Sequence, residues 1–328
     1  MRRREFIALL GSAATVWPLT ARAQPPSGMR RIGVLMATGE SDPETKAYLS
    51  EFTQGLREAG LQSRAVRMDV RSASIDIDRT RMAKELIALQ PDVILSHGTA
   101  TTAVLQRETR TIPIVFVVVS DPVGSGFVAS LPRPGGNITG FINIEAAMAG
   151  KWLELLMEIA PGVKRVAMMF NPDTAAGGGS YYIPSLETAA LSLKVEPISA
   201  PVYSDAEIET VMTSLGREPG GGLVVMPDNF SIVHRPPMIL LAARNKIPAV
   251  YWNSVYAREG GLLSYGPDNE NIFRRSASYV DRILHGAKPA ELPVQLPVKF
   301  EMVLNGKTAN ALGITIPPTM IARADEVI

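Results

Sequence analysis

The residues best able to do chemistry fall in six short polar corners, each just past an apolar run. They are Thr38 after Ile32–Met36, Gly98-Thr99-Ala100-Thr101-Thr102 after Val93–Ser96, and Asp121 after Ile112–Val119. In the second half they are Asn171 after Val166–Phe170, Asp228-Asn229 after Leu223–Met226, and Asn253, which follows Ala249–Trp252. Gly98 lets backbone approach a ligand closely, and Thr99, Thr101 and Thr102 put hydroxyls beside the free N–H groups of a helix start. Such a corner suits a carboxylate or another anion, although the same threonines can serve as plain helix caps. Bond-breaking chemistry has little support. The histidines are only His97, His234 and His285, far apart in sequence, and no cysteine occurs, which speaks against a zinc site or any other metal. There is no G-x-S-x-G elbow and no phosphate-binding G-x-x-x-x-G-K-[ST]; Gly124-Ser125-Gly126 is a lone G-x-G on the wrong side of a strand. His97 reads as a hydrogen-bonded structural histidine.

Polar residues bind ligands in this pattern when they sit at the carboxyl ends of parallel strands. The strands are legible. Ile112-Pro113-Ile114-Val115-Phe116-Val117-Val118-Val119 is an uninterrupted apolar run rich in β-branched residues, as in a strand covered on both faces. It stops at Ser120-Asp121-Pro122, and a dense run of breakers follows to Asn137, so the stretch up to Phe141 reads as the chain leaving one sheet for another. The order of elements before this crossing recurs after it. Arg31 answers to Arg165, Pro91 to Gly221 and Pro113 to Pro248, at a nearly constant spacing. The sequence therefore predicts an α/β protein of two similar lobes. One comprises residues 30–141 plus about 262–288, the other 142–261 plus about 289–328. Gly260-Gly261 through Gly266 is expected to return the chain to the first lobe, and Lys288–Pro297 forms a third Pro-rich passage. Three straps between two lobes make a hinge the natural inference. Helices are expected from Pro43 to Ala59, with Tyr48, Phe52, Leu56 and Ala59 at helical spacing, and after Ser204, where Glu207 completes a capping box.

At 328 residues two lobes are expected on length alone. The first 23 residues read as an export signal: Arg3-Arg4 precede a short apolar run, and Ala21-Arg22-Ala23 supplies a cleavage site before Gln24. The form is twin-arginine-like, with an ordinary Sec signal as the alternative. The formal charge of +1 becomes −2 once Arg2, Arg3, Arg4, Arg22 and Glu5 are removed, so bulk charge recruits neither nucleic acid nor an anionic membrane. The lack of cysteine excludes a lipid-modified cysteine, which leaves a soluble, untethered exported chain.

In these features the chain resembles the type I periplasmic solute-binding proteins of ABC importers. The stretch Asp121-Pro122-Val123-Gly124-Ser125-Gly126 with Pro134-Gly135-Gly136-Asn137-Ile138-Thr139-Gly140, and Ala322-Arg323-Ala324-Asp325-Glu326-Val327-Ile328, is similar to one branch associated with aromatic amino acids such as tryptophan or tyrosine. The resemblance implies two Rossmann-like lobes with parallel sheets joined by a three-strand hinge, closing on a small solute in the periplasm. It also implies ABC permease subunits of the inner membrane as partners, with a monomeric receptor, no cofactor and no nucleic acid. Thr38, Gly98, Thr99, Ala100, Asp121, Phe170, Asn171, Asp228, Asn229, Trp252 and Asn253 are then the candidates to line the cleft. An amino-acid ligand would place its carboxylate at the Thr99 helix start and its ammonium near Asp228 or Asp121. Phe170, Trp252 and Phe230 would sandwich its side chain. The competing classes are an exported α/β enzyme and a ligand sensor acting on a small carboxylate; no helix-turn-helix precedes the first strand.

Overall fold

The computed structural model describes residues 29–61, 66–73 and 76–328. The export-signal reading of residues 1–23 lies outside the described residues.

The first sheet holds β1 (Arg30–Met36), β2 (Val66–Ser72), β3 (Val93–His97), β4 (Ile114–Val119) and β5 (Ile138–Ile142), in the order β2-β1-β3-β4-β5 with every pair parallel. Every residue of β3, β4 and β5 is buried, which is why these segments read as continuous apolar runs instead of alternating ones. The second sheet holds β6 (Arg165–Phe170), β7 (Glu196–Pro201), β8 (Gly221–Val225), β9 (Ala249–Tyr251), β10 (Leu263–Pro267), β11 (Phe300–Leu304) and β12 (Glu326–Val327), in the order β12-β11-β10-β9-β8-β6-β7. Only β10 and β11 pair antiparallel. The fold is α/β, with two Rossmann-like lobes whose cores are mostly parallel sheets.

The crossings fall later than the breakers predict. β5 pairs parallel with β4, so the Gly- and Pro-rich passage Pro122–Asn137 is a connection inside the first sheet, and the chain leaves it only at Asn143–Ala147. β10 lies between β9 and β11 of the second sheet, so the return to the first lobe begins after Pro267 and not at Gly260. The glycines there mark close packing: a Cβ on Gly266 would stand 1.7 Å from the Trp252 carbonyl oxygen. Within the third passage, Leu292–Gln295 runs beside β5, with Gln295 N donating to Gly140 O at 2.9 Å and Thr139 Oγ1 to Leu292 O at 2.6 Å. Only the chain beyond it joins the second sheet.

The helices that matter for the site start at strand ends. They are α1 (Pro43–Glu58), α2 (Asp76–Ala88), α3 (Thr99–Glu108), α4 (Met148–Ile159), α5 (Ile183–Leu193), α6 (Asp205–Gly216), α7 (Asn229–Val233), α8 (Arg235–Arg244), α9 (Ser254–Arg258) and α10 (Asn269–Leu284). α1 is capped by Asp42, whose Oδ1 accepts from Glu44 N at 2.9 Å, with Pro43 in the first turn. Ser204 caps α6 by accepting from Glu207 N, while Glu207 reaches back to Tyr203 N, one residue earlier than a reciprocal box requires. α10 returns to pack against α1, and Tyr48 stacks on Phe273 with ring centroids 4.8 Å apart and planes at 8°. This helix pair fixes the wall of the cleft. It closes over Gly55, where a Cβ would lie 2.2 Å from Arg274 O and 2.8 Å from Ala277 Cβ. Gly55→Leu should therefore cost about 3 kcal/mol or more through overpacking, measured by urea unfolding; a cost below about 1 kcal/mol would show that the helices can part freely.

Candidate functional site

The carboxyl ends of the two sheets face each other across a narrow cavity. Of the eleven residues expected there, Thr38, Gly98, Thr99, Asp228, Asn229, Trp252 and Asn253 line it. The other four do not, each for a physical reason. Ala100 lies one step into α3 on a different face. Asp121 adopts φ 44° and turns its carboxylate onto Gly124 N at 2.8 Å, tying its own turn. Phe170 is core, its ring against Gly179. Asn171 sits behind the wall: its N–H donates to Asp228 Oδ2 at 2.9 Å and its Nδ2 to Val202 O at 2.9 Å. Phe230 stacks on His234, 4.0 Å between centroids, and is also outside the lining.

The first-lobe wall is built around the start of α3. Gly98 takes φ 87° and ψ 163° and, as a glycine, offers the helix no side-chain cap. Thr101 and Thr102 do not cap either, because their hydroxyls turn back to the carbonyls of His97 and Gly98. Thr99 Oγ1 accepts from Ser120 N at 3.3 Å. The N-terminus of this ten-residue helix therefore opens on the cavity with the partial positive charge of its dipole. Beside it Val118 interrupts the β4–β5 register with φ 56°, a conformation strained for a β-branched residue, and this bulge carries its side chain onto the wall.

The second-lobe wall is held by Asp228, the N-cap of α7. Its Oδ1 accepts from Ser231 N and from Thr174 Oγ1, and its Oδ2 from Asn171 N. Burial pushes its pKa up to about 6 against the pull of these hydrogen bonds. Both carboxylate oxygens are thus occupied by the fold. Asn253 caps α9 by accepting from Val255 N at 2.9 Å.

Sequence reasoning missed a second cluster on this cavity, formed by Glu44 and Tyr48 of α1, His97, and Asn269 of α10. Tyr48 OH donates to Glu44 Oε1 at 3.0 Å while Asn253 Nδ2 and Asn269 Nδ2 donate to the Tyr48 oxygen, each at 3.4 Å. Burial raises the Glu44 carboxyl to about 7 and pulls His97 down to about 4, so the imidazole is neutral at working pH. His97 was expected to be a satisfied structural histidine. Its Nδ1 instead has no hydrogen-bond partner among the described residues, and neither do Trp252 Nε1 and Asn269 Oδ1. Three buried polar atoms without partners on one cavity are an arrangement that a polar ligand completes. Among the described residues no lysine or arginine lines it.

Contacts cross the cleft around this cavity. Asn229 Nδ2 donates to Ala37 O at 3.2 Å and Tyr182 OH to Ser120 Oγ at 2.8 Å. Arg235 of α8 forks onto Glu259 at 2.9 and 3.0 Å and reaches Asp42 of the other lobe at 3.1 Å.

Two parallel-sheet lobes meeting over a polar and aromatic cavity define a type I periplasmic binding protein. The chain belongs to the ABC transporter substrate-binding protein family, whose model matches residues 34–328. It is therefore a substrate-binding component of an ABC transporter and not an enzyme. It is 26% identical over 251 residues to a tyrosine-binding protein of Clostridioides difficile, covering 75% of this chain and 70% of that one. Among solved structures it resembles a conserved domain protein from Vibrio cholerae, with 27% identity, TM-score 0.84, and coverage of 92% of this chain and 100% of that one. It also resembles a Streptococcus pneumonia ABC domain in complex with L-Trp, with 25% identity, TM-score 0.84, and coverage of 91% and 99%. Among the described residues no helix is long and apolar enough to cross a membrane.

Proposed function

We propose that this protein is an exported receptor that closes about its three straps on an aromatic or other apolar amino acid and hands it to a permease in the inner membrane. The observation that carries this reading is the cavity itself: an uncapped helix start on one wall, carboxylates without a basic partner on the others, and Trp252 and His97 in its lining. An α-amino acid satisfies all three, with its carboxylate at the first-turn N–H groups of α3, its ammonium toward the acidic side, and its ring on the aromatic surface. The relatives that bind tyrosine and L-Trp support the same class of cargo. The leader, with cleavage near Ala23 and no lipid anchor, belongs to this reading; amino-terminal sequencing of the exported protein should begin at Gln24.

The test is isothermal titration against a panel of amino acids. Binding is expected on the order of micromolar, about −8 kcal/mol, for L-tryptophan or L-tyrosine. Scattering profiles should contract on binding, and failure of every amino acid to bind would end the proposal. Trp252→Ala should weaken L-tryptophan binding by roughly tenfold, the equivalent of about 1.4 kcal/mol. Its melting curve should remain a single cooperative transition. Unchanged affinity would remove Trp252 from the contact surface.

A further inference from the structure

The cavity's acidic side has a charge imbalance that points beyond cargo class to regulation of the same site. Arg235 lies near Glu44, and it is already held by two other carboxylates, Asp42 at the N-cap of α1 and Glu259 at the end of α9. Glu44 also borders a polar side cavity shared with Arg258, Asp268, Glu270, Lys299 and Glu301. The two cations there are likewise taken. Lys299 pairs with Asp268 at 2.8 Å, and Arg258 pairs with Glu301 at 3.4 Å and with Glu326 at 2.9 Å. Across the main cavity stand Asp228, whose oxygens already accept from Ser231 N, Thr174 Oγ1 and Asn171 N, and the neutral imidazole of His97. Tyr48 occupies Glu44 Oε1 as a donor, and its own oxygen already faces two amide donors, so this hydroxyl proton is committed to the carboxyl. Oε2 is left for a cation, and among the described residues the surrounding elements offer none that is not already paired.

We propose that Glu44 carries a proton that the ammonium of the cargo displaces, so that proton and cargo compete for one carboxyl oxygen on the cavity wall. This rests on the receptor reading above. On binding, the Glu44 O–H bond breaks, the proton passes to solvent, and the carboxylate then faces the ligand's cation. Its carboxyl lies near 7 because burial outweighs the help of Tyr48 and Arg235. The sign follows: above that midpoint the site is ready for a cation, and as pH falls through it the proton wins. Well below the midpoint one-proton competition weakens binding about tenfold per pH unit. Acidification would then unload the receptor.

Two measurements decide this. In ligand-free protein labelled with ¹³C at glutamate side-chain carboxyls, the resonance missing from Glu44→Gln should titrate with a midpoint near 7; a midpoint in the ordinary range of about 4 to 5 overturns the proposal. Titration of L-tryptophan at pH 6 in buffers of different ionisation enthalpy should show close to one proton released. Glu44→Gln should abolish that release and flatten the pH dependence of affinity. Release that persists unchanged in Glu44→Gln overturns the proposal while leaving the receptor reading intact. If no amino acid binds, that reading falls, and the carboxyl midpoint still decides whether Glu44 holds its proton.

Discussion

Replacing Arg235 by leucine should destabilise the protein by about 3 kcal/mol and weaken cargo binding as well. Removing one partner of a largely buried ion pair leaves uncompensated charge, which typically costs roughly 3–5 kcal/mol. The lower end applies here because the Glu259 side chain is 37% exposed and water can resolvate it, whereas Asp42 is 16% exposed. Asp42 has a second task, because its other oxygen caps α1 at Glu44 N. Loss of Arg235 therefore loosens the helix start that presents Glu44 and Tyr48 to the cavity. The Arg235–Asp42 contact spans the lobes, so its loss disfavours the closed arrangement specifically and lowers apparent affinity in proportion to the closed population. Arg235→Lys should recover little, since an ammonium cannot make the forked contact with Glu259 and still reach Asp42. Urea unfolding and titration with L-tryptophan read both effects. A stability loss under about 1 kcal/mol with unchanged affinity would show that this bridge is surface decoration.

What the sequence revealed and what it hid follow from range. The two-lobe architecture was legible because buried parallel strands write themselves as local apolar runs, and the corners beyond them locate Thr38, Thr99, Asp228 and Asn253 without any knowledge of distant contacts. The second lobe boundary was misplaced where a glycine served packing instead of turning. Gly266 looks like a breaker but lets β10 press against the Trp252 backbone. Asp121 fits the strand-end rule, yet a positive φ swings it into its own turn. Tyr48 was visible as one residue of an apolar helical stripe, and the stripe is real, since its ring stacks on Phe273. Nothing local shows that its hydroxyl meets Asn253 and Asn269, more than two hundred residues away. Glu44 carried a usable signal: an acidic residue in the first turn after Asp42-Pro43, at the same strand end as Thr38.

Gly98 is where backbone geometry and cargo recognition meet, and Gly98→Val should reduce L-tryptophan binding by at least about a hundredfold, the equivalent of about 2.7 kcal/mol. At φ 87° and ψ 163° the residue occupies a region that is essentially glycine's alone, where any side chain costs roughly 1–3 kcal/mol. Gly98→Ala isolates that cost, because its Cβ would stand 3.4 Å from Asn229 Oδ1 and 3.6 Å from Ala37 Cβ, close but tolerable contacts. Valine adds two methyl groups at the same spot. They push against Asn229, whose amide bridges the cleft to Ala37 O, and they crowd the α3 N–H groups proposed to take the carboxylate. The two variants should therefore share a modest stability loss and differ in binding, with alanine weakened far less than valine. Differential scanning calorimetry and titration separate these effects. If Gly98→Val melts with Gly98→Ala and binds L-tryptophan within threefold of the parent, the α3 start is not where the carboxylate sits. If both variants lose binding equally, the backbone conformation rather than the space in front of it governs the site.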